Sequence, residues 1–361
     1  MVDGAVTPIV TVAIVAYQAG AFLQRCVDSL AAQTFTGFEA IILDNASTDG
    51  SINQLDLPDE RFRIERLGKN LGFAAANNIA ARVGRGTWLA TLNPDAIPHP
   101  DWLACMMQGI TRWPHAASFG STQLSLERPD VLDGAGDVWH AAGLAWRGRS
   151  GWPATSNPDE GEIFGPCAAA ALYRCDIFLM LGGFDESFFC YCEDLDLAYR
   201  LRLAGYTSMQ IPSAVVRHVS GGISGEKSDF TLFHGHRNRI WTFVKNTPGA
   251  WFWALLPWHI AIDALMLYGG YRDRKAAPIA RGYIAAIKGL PAIWQTRRQI
   301  QSARRASTIS VLKVMGWGLL SFRTRDVVPR RRAGKPLAVR TQATFWRTAA
   351  LSSRFKKPER S

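Results

Sequence analysis

The first two thirds of this 361-residue chain predict an α/β fold, a Rossmann-like, mostly parallel sheet flanked by helices, and the remainder predicts a helical extension. Three observations lead there. Short β-branched runs alternate with segments of helical apolar spacing; each run stops at an amide or a carboxylate; and beyond residue 245 the pattern changes to long apolar and basic stretches.

Ile9 to Ala16 (IVTVAIVA) is continuous enough to be a strand buried on both faces. Ala21 to Gln33 follows with Phe22, Val27 and Leu30 at helical spacing. Ala40 to Leu43 is a second strand, ending at Asp44, and Trp88 to Leu92 another, ending at Asn93. Such strand, helix, strand order implies right-handed crossovers, so the carboxyl ends of the strands line one crevice. Tyr17, Asp44, Asn45, Asn93 and Asp95 fall just past those ends. Further on, Glu193-Asp194 opens a helix carrying Leu195, Leu197, Leu201 and Leu203, since acidic residues favour a first turn. Ile211 to Arg217 reads as a strand delivering His218. Asp95, Glu193-Asp194 and His218 thus bring carboxylate and imidazole groups to the ends of apolar runs, a set suited to a hard cation and a proton acceptor.

Composition narrows the class. At 48% hydrophobic the chain fills one large core or two smaller ones, and six cysteines without C-x-x-C spacing point to a reducing, cytoplasmic compartment. From Arg272 to Ser361 there are 22 Lys+Arg against 3 Asp+Glu, whereas the preceding part holds 19 against 27. A cationic tail suits nucleic acid or anionic lipid, and the Trp-rich stretch Ala250 to Gly270 favours lipid. His259 and Asp263 in that stretch favour an interfacial or half-inserted segment over a span, with a buried helix of a soluble domain as the remaining reading. No RNA-binding aromatic signature or zinc-finger spacing is present, and no G-x-G-x-x-G follows the first strand, which speaks against nucleic-acid binding and dinucleotide oxidoreduction.

The order of Val10 to Gln33, Ile42-Leu-Asp-Asn-Ala-Ser-Thr-Asp-Gly-Ser51, Asn70-Leu-Gly-Phe-Ala-Ala-Ala-Asn-Asn78, Leu92-Asn-Pro-Asp95 and Gly182-Gly-Phe-Asp-Glu-Ser-Phe-Phe189 with Glu193-Asp194 resembles glycosyltransferase family 2, nearest its rhamnosyltransferase-like branch. The resemblance spans roughly residues 8 to 245. It implies a GT-A fold, a nucleotide-sugar donor, Mg²⁺ or Mn²⁺, and inversion at the anomeric carbon. It implies a catalytic domain over 1–245, with a nucleotide-binding half at about 8–125 and an acceptor half at about 126–245. A helical, membrane-associated region at 246–326 and a basic, disordered tail at 327–361 would follow.

By the same resemblance Tyr17, Asp44, Asn45, Asn77, Asn93 and Asp95 touch the nucleotide sugar, and Asp95 and His218 hold the metal. Asp194 is the implied base, Glu193 positions the acceptor, and Asp196 anchors the helix. Arg237, Arg239 and Tyr191 are candidates for the diphosphate or the acceptor, with Phe188 and Phe189 offering faces to sugar rings. The branch implies L-rhamnose from dTDP-rhamnose, with UDP sugars left open. The acceptor would be a cell-surface or polyprenyl-diphosphate-linked glycan at the cytoplasmic face of a bacterial inner membrane. Two other classes stay open: a carboxylate-pair glycoside hydrolase, and a membrane-docking scaffold with a degenerate nucleotide-sugar domain.

Overall fold

Seven consecutive buried residues, Val10–Ala16, form β1 at the heart of the sheet. The computed structural model describes residues 7–219, 225, 228–318 and 321–326; the expected tail at 327–361 lies outside them. After β1 come α1 (Phe22–Ala31), β2 (Phe38–Asp44), β3 (Phe62–Arg66), α2 (Gly72–Val83), β4 (Trp88–Leu92), β5 (Ala96–Pro98) and α3 (Trp102–Arg112). The middle holds β6 (Ala116–Ser125), β7 (Leu132–Ala135), β8 (Asp137–Trp139), β9 (Ala145–Arg147), β10 (Gly161–Ile163), β11 (Ala170–Arg174), α4 (Cys175–Met180), α5 (Glu193–Leu203) and β12 (Thr207–His218). Helices close the described chain: α6 (Asp229–Asn246), α7 (Gly249–Arg272), α8 (Ala276–Ser302), and the short α9 (Thr308–Leu312) and α10 (Ser321–Thr324).

The main sheet runs β10-β12-β6-β11-β4-β1-β2-β3. Its N-terminal half, β4-β1-β2-β3, is parallel, as continuous apolar strands joined by crossovers require. β11 is antiparallel to both β4 and β6 and so joins that half to the parallel pair β6 and β12. The sheet is therefore parallel in the half read from periodicity and mixed in the other.

Register sets the site. β12 shifts register against β6 between Ile211 and Val215, and its end then pairs antiparallel with β5, placing Ala96 opposite His218. Two apolar layers cover the sheet, one with Leu23, Val27 and Trp102, the other with Ala74, Phe178 and Leu201. A third core, including Trp139, Phe188, Tyr199, Phe243, Ala286 and Ile293, joins α5, α6 and α8 to the sheet's far end.

Candidate active site

On the donor side, Tyr17 stands exposed directly after β1, with an open ring. Asp44 ends β2; its Oδ1 accepts from the Ser47 amide at 2.9 Å, and the largely exposed Arg66 lies 3.4 Å from Oδ2. Asn45 and Asn77, expected to touch the nucleotide sugar, both bond to backbone in this structure. Asn45 is buried; its Oδ1 accepts from the Leu71 amide at 2.8 Å and its Nδ2 donates to the Gly72 carbonyl at 3.4 Å, so its amide braces the turn before α2. Asn77 faces inward from α2 and donates to the Phe73 carbonyl at 2.9 Å. At Gly72 φ is +83° and a Cβ would lie only 2.6 Å from the Phe189 ring and carbonyl, so the bare backbone admits the Phe189 loop.

The Asn93-Pro94-Asp95 turn meets the end of β12. The Val219 amide donates to the Asp95 carbonyl at 3.2 Å, and Asp95 Oδ1 lies 3.4 Å from His218 Nε2. Asn93 Nδ2 lies 3.4 Å from the same imidazole nitrogen. His218 Nδ1 sits 2.8 Å from Asp133 Oδ2, and Asp133 also pairs with Arg147. With Nδ1–H donating to Asp133, the neutral imidazole turns its Nε2 lone pair toward Asp95, the form a cation would bind. Burial would lower the imidazole's pKa, but Asp133 and Asp95 raise it above the ordinary range. Asp95 Oδ1 is buried and makes no hydrogen bond. One orphaned carboxylate oxygen beside a directed imidazole nitrogen is a fitting pair of ligands for a small divalent cation that completes its shell with phosphate oxygens.

The acidic pair reaches the same sheet end from the other side. Asp194 Oδ2 accepts from the Ala168 amide at 3.1 Å and Oδ1 from the Leu195 amide at 2.8 Å. The Asn93 amide donates to the Ala169 carbonyl at 2.9 Å, so Asp194 and the Asn93-Pro94-Asp95 turn are tied to adjacent residues of one segment. Glu193 is buried, its Oε2 unpartnered, and burial with Asp194 beside it pushes its pKa well up. Asp196 is buried deeper, bonded to Lys245, Arg200 and Asn246.

Four residues that sequence reasoning passed over complete the site: Asp133, Asp137, Arg147 and Cys167. Ligand atoms of Asp137, Cys167 and Asp194 lie within 4.8 Å of one another. Burial and Asp194 push Asp137 well above the carboxylate range. Burial also raises Asp194, against which the Ala168 and Leu195 amides and Arg147 act. Burial pushes the Cys167 thiol up to about 12, so it stays protonated, a poor ligand. Arg147 supplies the positive charge beside these groups: burial opposes its protonation, but the neighbouring Asp133, Asp137 and Asp194 carboxyls hold it charged. Asp133-Gly-Ala-Gly-Asp137, two acids in a glycine-rich turn, was the available signal. A polar cavity of about 410 Å³, lined by Ser125, Glu127, Arg128 and Asp133, opens beside this cluster.

The loop presenting Glu193-Asp194 is strained and clamped. Phe189 has φ +65° and ψ −62°, the rare γ-turn conformation, closed by the Cys190 amide on the Phe188 carbonyl at 2.7 Å; Tyr191 and Cys192 also have positive φ. Asn238 Nδ2 lies 3.0, 2.8 and 2.8 Å from the Phe188, Cys190 and Tyr191 carbonyls. Arg237 donates to the Ser187 and Phe188 carbonyls at 3.2 and 2.9 Å. Arg239 is buried, bonded to the Gly143 carbonyl and paired with Asp263. The expectation that Arg237 and Arg239 grip a diphosphate gives way here: both guanidiniums are committed to holding the fold. Phe188 likewise lies in the core rather than facing a sugar, while Phe189 and Tyr191 form a half-open aromatic group with Phe230.

Comparison with known proteins agrees with this layout. The model of the family described as glycosyl transferase family 2 matches residues 11–181, which includes Asp95 but stops short of Glu193, Asp194 and His218. The chain is 27% identical over 283 residues, 70% of its length and 89% of the relative's, to a Mycobacterium tuberculosis N-acetylglucosaminyl-diphospho-decaprenol L-rhamnosyltransferase. Among solved structures, S. aureus TarS 1-349 superposes with a TM-score of 0.51 at 16% identity, covering 91% of this chain and 98% of that one. GalNAc-T7, crystallised with UDP, GalNAc and Mn²⁺, gives 0.51 at 17% identity over 58% of this chain, which spans only 43% of that protein. These two show a shared fold, the GT-A arrangement. The matched sequence, the rhamnosyltransferase relative and this topology together support a glycosyltransferase family 2, rhamnosyltransferase-like protein.

Proposed function

We propose that the protein transfers a sugar, with inversion, from a nucleoside-diphosphate donor to a hydroxyl of a polyprenyl-diphosphate-linked glycan at the cytoplasmic face of a bacterial inner membrane. The observation that carries the proposal is the convergence of Asp95, His218 and Asp194 on one sheet end, linked through the Ala168–Ala169 segment. The relative named for a diphospho-decaprenol acceptor and L-rhamnose supports a lipid-linked acceptor and dTDP-rhamnose as the donor to test first.

In this reading Asp95 and His218 would hold Mg²⁺ or Mn²⁺, and GalNAc-T7, crystallised with Mn²⁺, favours the latter as first probe. When bound, such a cation neutralises charge on the donor's diphosphate. Tyr17, Asp44 and Asn45 would contact the base and ribose, and Asn93 the ribose. Asp194 takes the proton of the acceptor hydroxyl as that oxygen bonds to the anomeric carbon. The anomeric carbon's bond to the diphosphate oxygen breaks, and the electron pair leaves with the nucleoside diphosphate. Arg147 and the Ala168 and Leu195 amides favour the carboxylate form of Asp194 against its burial. Glu193 would position the acceptor beside it.

The test is Asp194→Asn. Transfer should fall by about three orders of magnitude or more while donor affinity stays within a few-fold. Asp95→Asn and His218→Ala should instead remove Mn²⁺-dependent donor binding, read by calorimetry. Normal turnover in D194N would overturn the base assignment, and unchanged Mn²⁺ binding in both other variants would overturn the metal pair.

A further inference from the structure

We infer that α7 is an in-plane membrane anchor: it lies flat in the headgroup region of an anionic bilayer, fixed by its inner face to the catalytic body, and does not cross the membrane. By length and composition α7 could span, since its 24 residues have a mean hydropathy of 1.4 over an 18-residue window. Its two faces argue otherwise. Phe252, Leu255, His259, Asp263 and Gly270 recur at helical spacing and turn toward the protein. The polar members of that face are committed there. His259 stacks on Phe243 with ring centroids 4.0 Å apart and lies 3.0 Å from the Ala142 carbonyl, and Asp263 pairs with Arg239 and accepts from Tyr283. A spanning α7 would break this buried ion pair and place Asp263 and Arg239 in or beside hydrocarbon, a costly exchange.

The opposite face carries Trp253, Trp258, Ile260, Leu265, Tyr268 and Tyr271, between 58% and 74% exposed. Among the described residues, seven of the sixteen exposed large apolar side chains belong to this one helix, too dense a patch to be incidental. Indole and phenol rings favour the wet boundary of a bilayer over its centre. Charge selects the occupant. From residue 249 to 318 there are ten Lys+Arg against two Asp+Glu, and Arg272, Arg274 and Lys288 stand exposed beside the patch, a complement to anionic phospholipid. A second copy of the chain would set these charges against one another.

The inference stands apart from the catalytic reading, because its assay measures binding and not transfer. The full chain is floated with phosphatidylglycerol and with phosphatidylcholine vesicles, alone and as W253S/W258S/L265S, with circular dichroism to check folding. The protein should float with the anionic vesicles, less at 1 M salt, and the triple variant should lose about tenfold or more of that partition while staying folded. Retained flotation in the variant, or concentration-dependent dimerisation that the variant abolishes, would overturn the proposal. Topology has its own arm. All six native cysteines precede α5, so an impermeant maleimide applied to spheroplasts should label neither the wild type nor Tyr271→Cys, while inverted vesicles should expose the new thiol. Labelling of Y271C from outside would mean that α7 spans.

Discussion

Asn238→Ala is the sharpest probe of how the acidic pair is held. Asn238 is wholly buried, and its two amide protons are shared among the Phe188, Cys190 and Tyr191 carbonyls. Truncation removes two good hydrogen bonds, each about 1 kcal/mol net, and leaves buried carbonyls whose desolvation costs about 1–3 kcal/mol each. The loop also holds three consecutive-but-one positive-φ residues, each storing about 1–3 kcal/mol that the clamp must offset. A loss of about 2–4 kcal/mol in local stability follows, which is about 30- to 700-fold in the opening equilibrium. Amide hydrogen exchange reads it directly at Phe189 and Cys190, bonded within the loop, and at Ala74, whose amide donates to the Phe189 carbonyl at 3.1 Å. Asn238→Asp, which sets an acceptor against three acceptors, should be worse. Exchange at all three amides within about threefold of wild type would refute the clamp.

The other predictions rest on buried charge and backbone. Lys245→Met removes the ammonium that pairs with Asp185 and Asp196 at 2.6 and 2.8 Å and should cost about 3–5 kcal/mol in denaturant unfolding. Gly72→Ala puts a methyl into the Phe189 carbonyl at positive φ and should destabilise by about 2 kcal/mol or more, with faster exchange in the 189–192 loop. Burial, then Arg239, holds the His259 imidazole down to about 4. A depressed histidine contributes stability that is whole above about pH 6.5 and fades as pH falls toward 4, about 2 kcal/mol being gone by pH 5. Proteolysis of α7 should accelerate over that window, and His259→Gln should flatten the dependence.

What the sequence made legible follows from how local each signal was. The central strands could be read because β1, β2 and β4 are buried runs, and α5 because acids precede a leucine repeat. Asp95, His218 and Asp194 were readable as types, and their meeting depends on β5 pairing with β12, a contact between residues more than a hundred apart. Asp133 and Arg147 left no periodic trace, because β7 and β9 are only four and three residues long. Polar side chains misled most. Asn45, Asn77 and Arg239 have the composition of surface or ligand-facing groups, and nothing local says that each meets a backbone carbonyl or a buried carboxylate instead.

That last point reassigns the His236-Arg237-Asn238-Arg239 stretch of α6. Arg237 and Asn238 hold the carbonyls of the 187–191 loop, while Arg239, one residue on, holds Asp263 of α7. Lys245 and Asn246, two turns later, hold Asp196 of α5. One helix therefore fixes the loop before the acidic pair, the helix that carries the pair, and the helix whose outer face is apolar. If α7 rests on lipid, its attachment to α6 sets the distance from the bilayer to Asp194. A lipid-linked hydroxyl can be met by a rigid site only if that distance is constant. Buried charge is a poor source of stability but a good source of fixed geometry, and that explains why α6 spends arginine, asparagine and lysine where apolar residues would pack more cheaply.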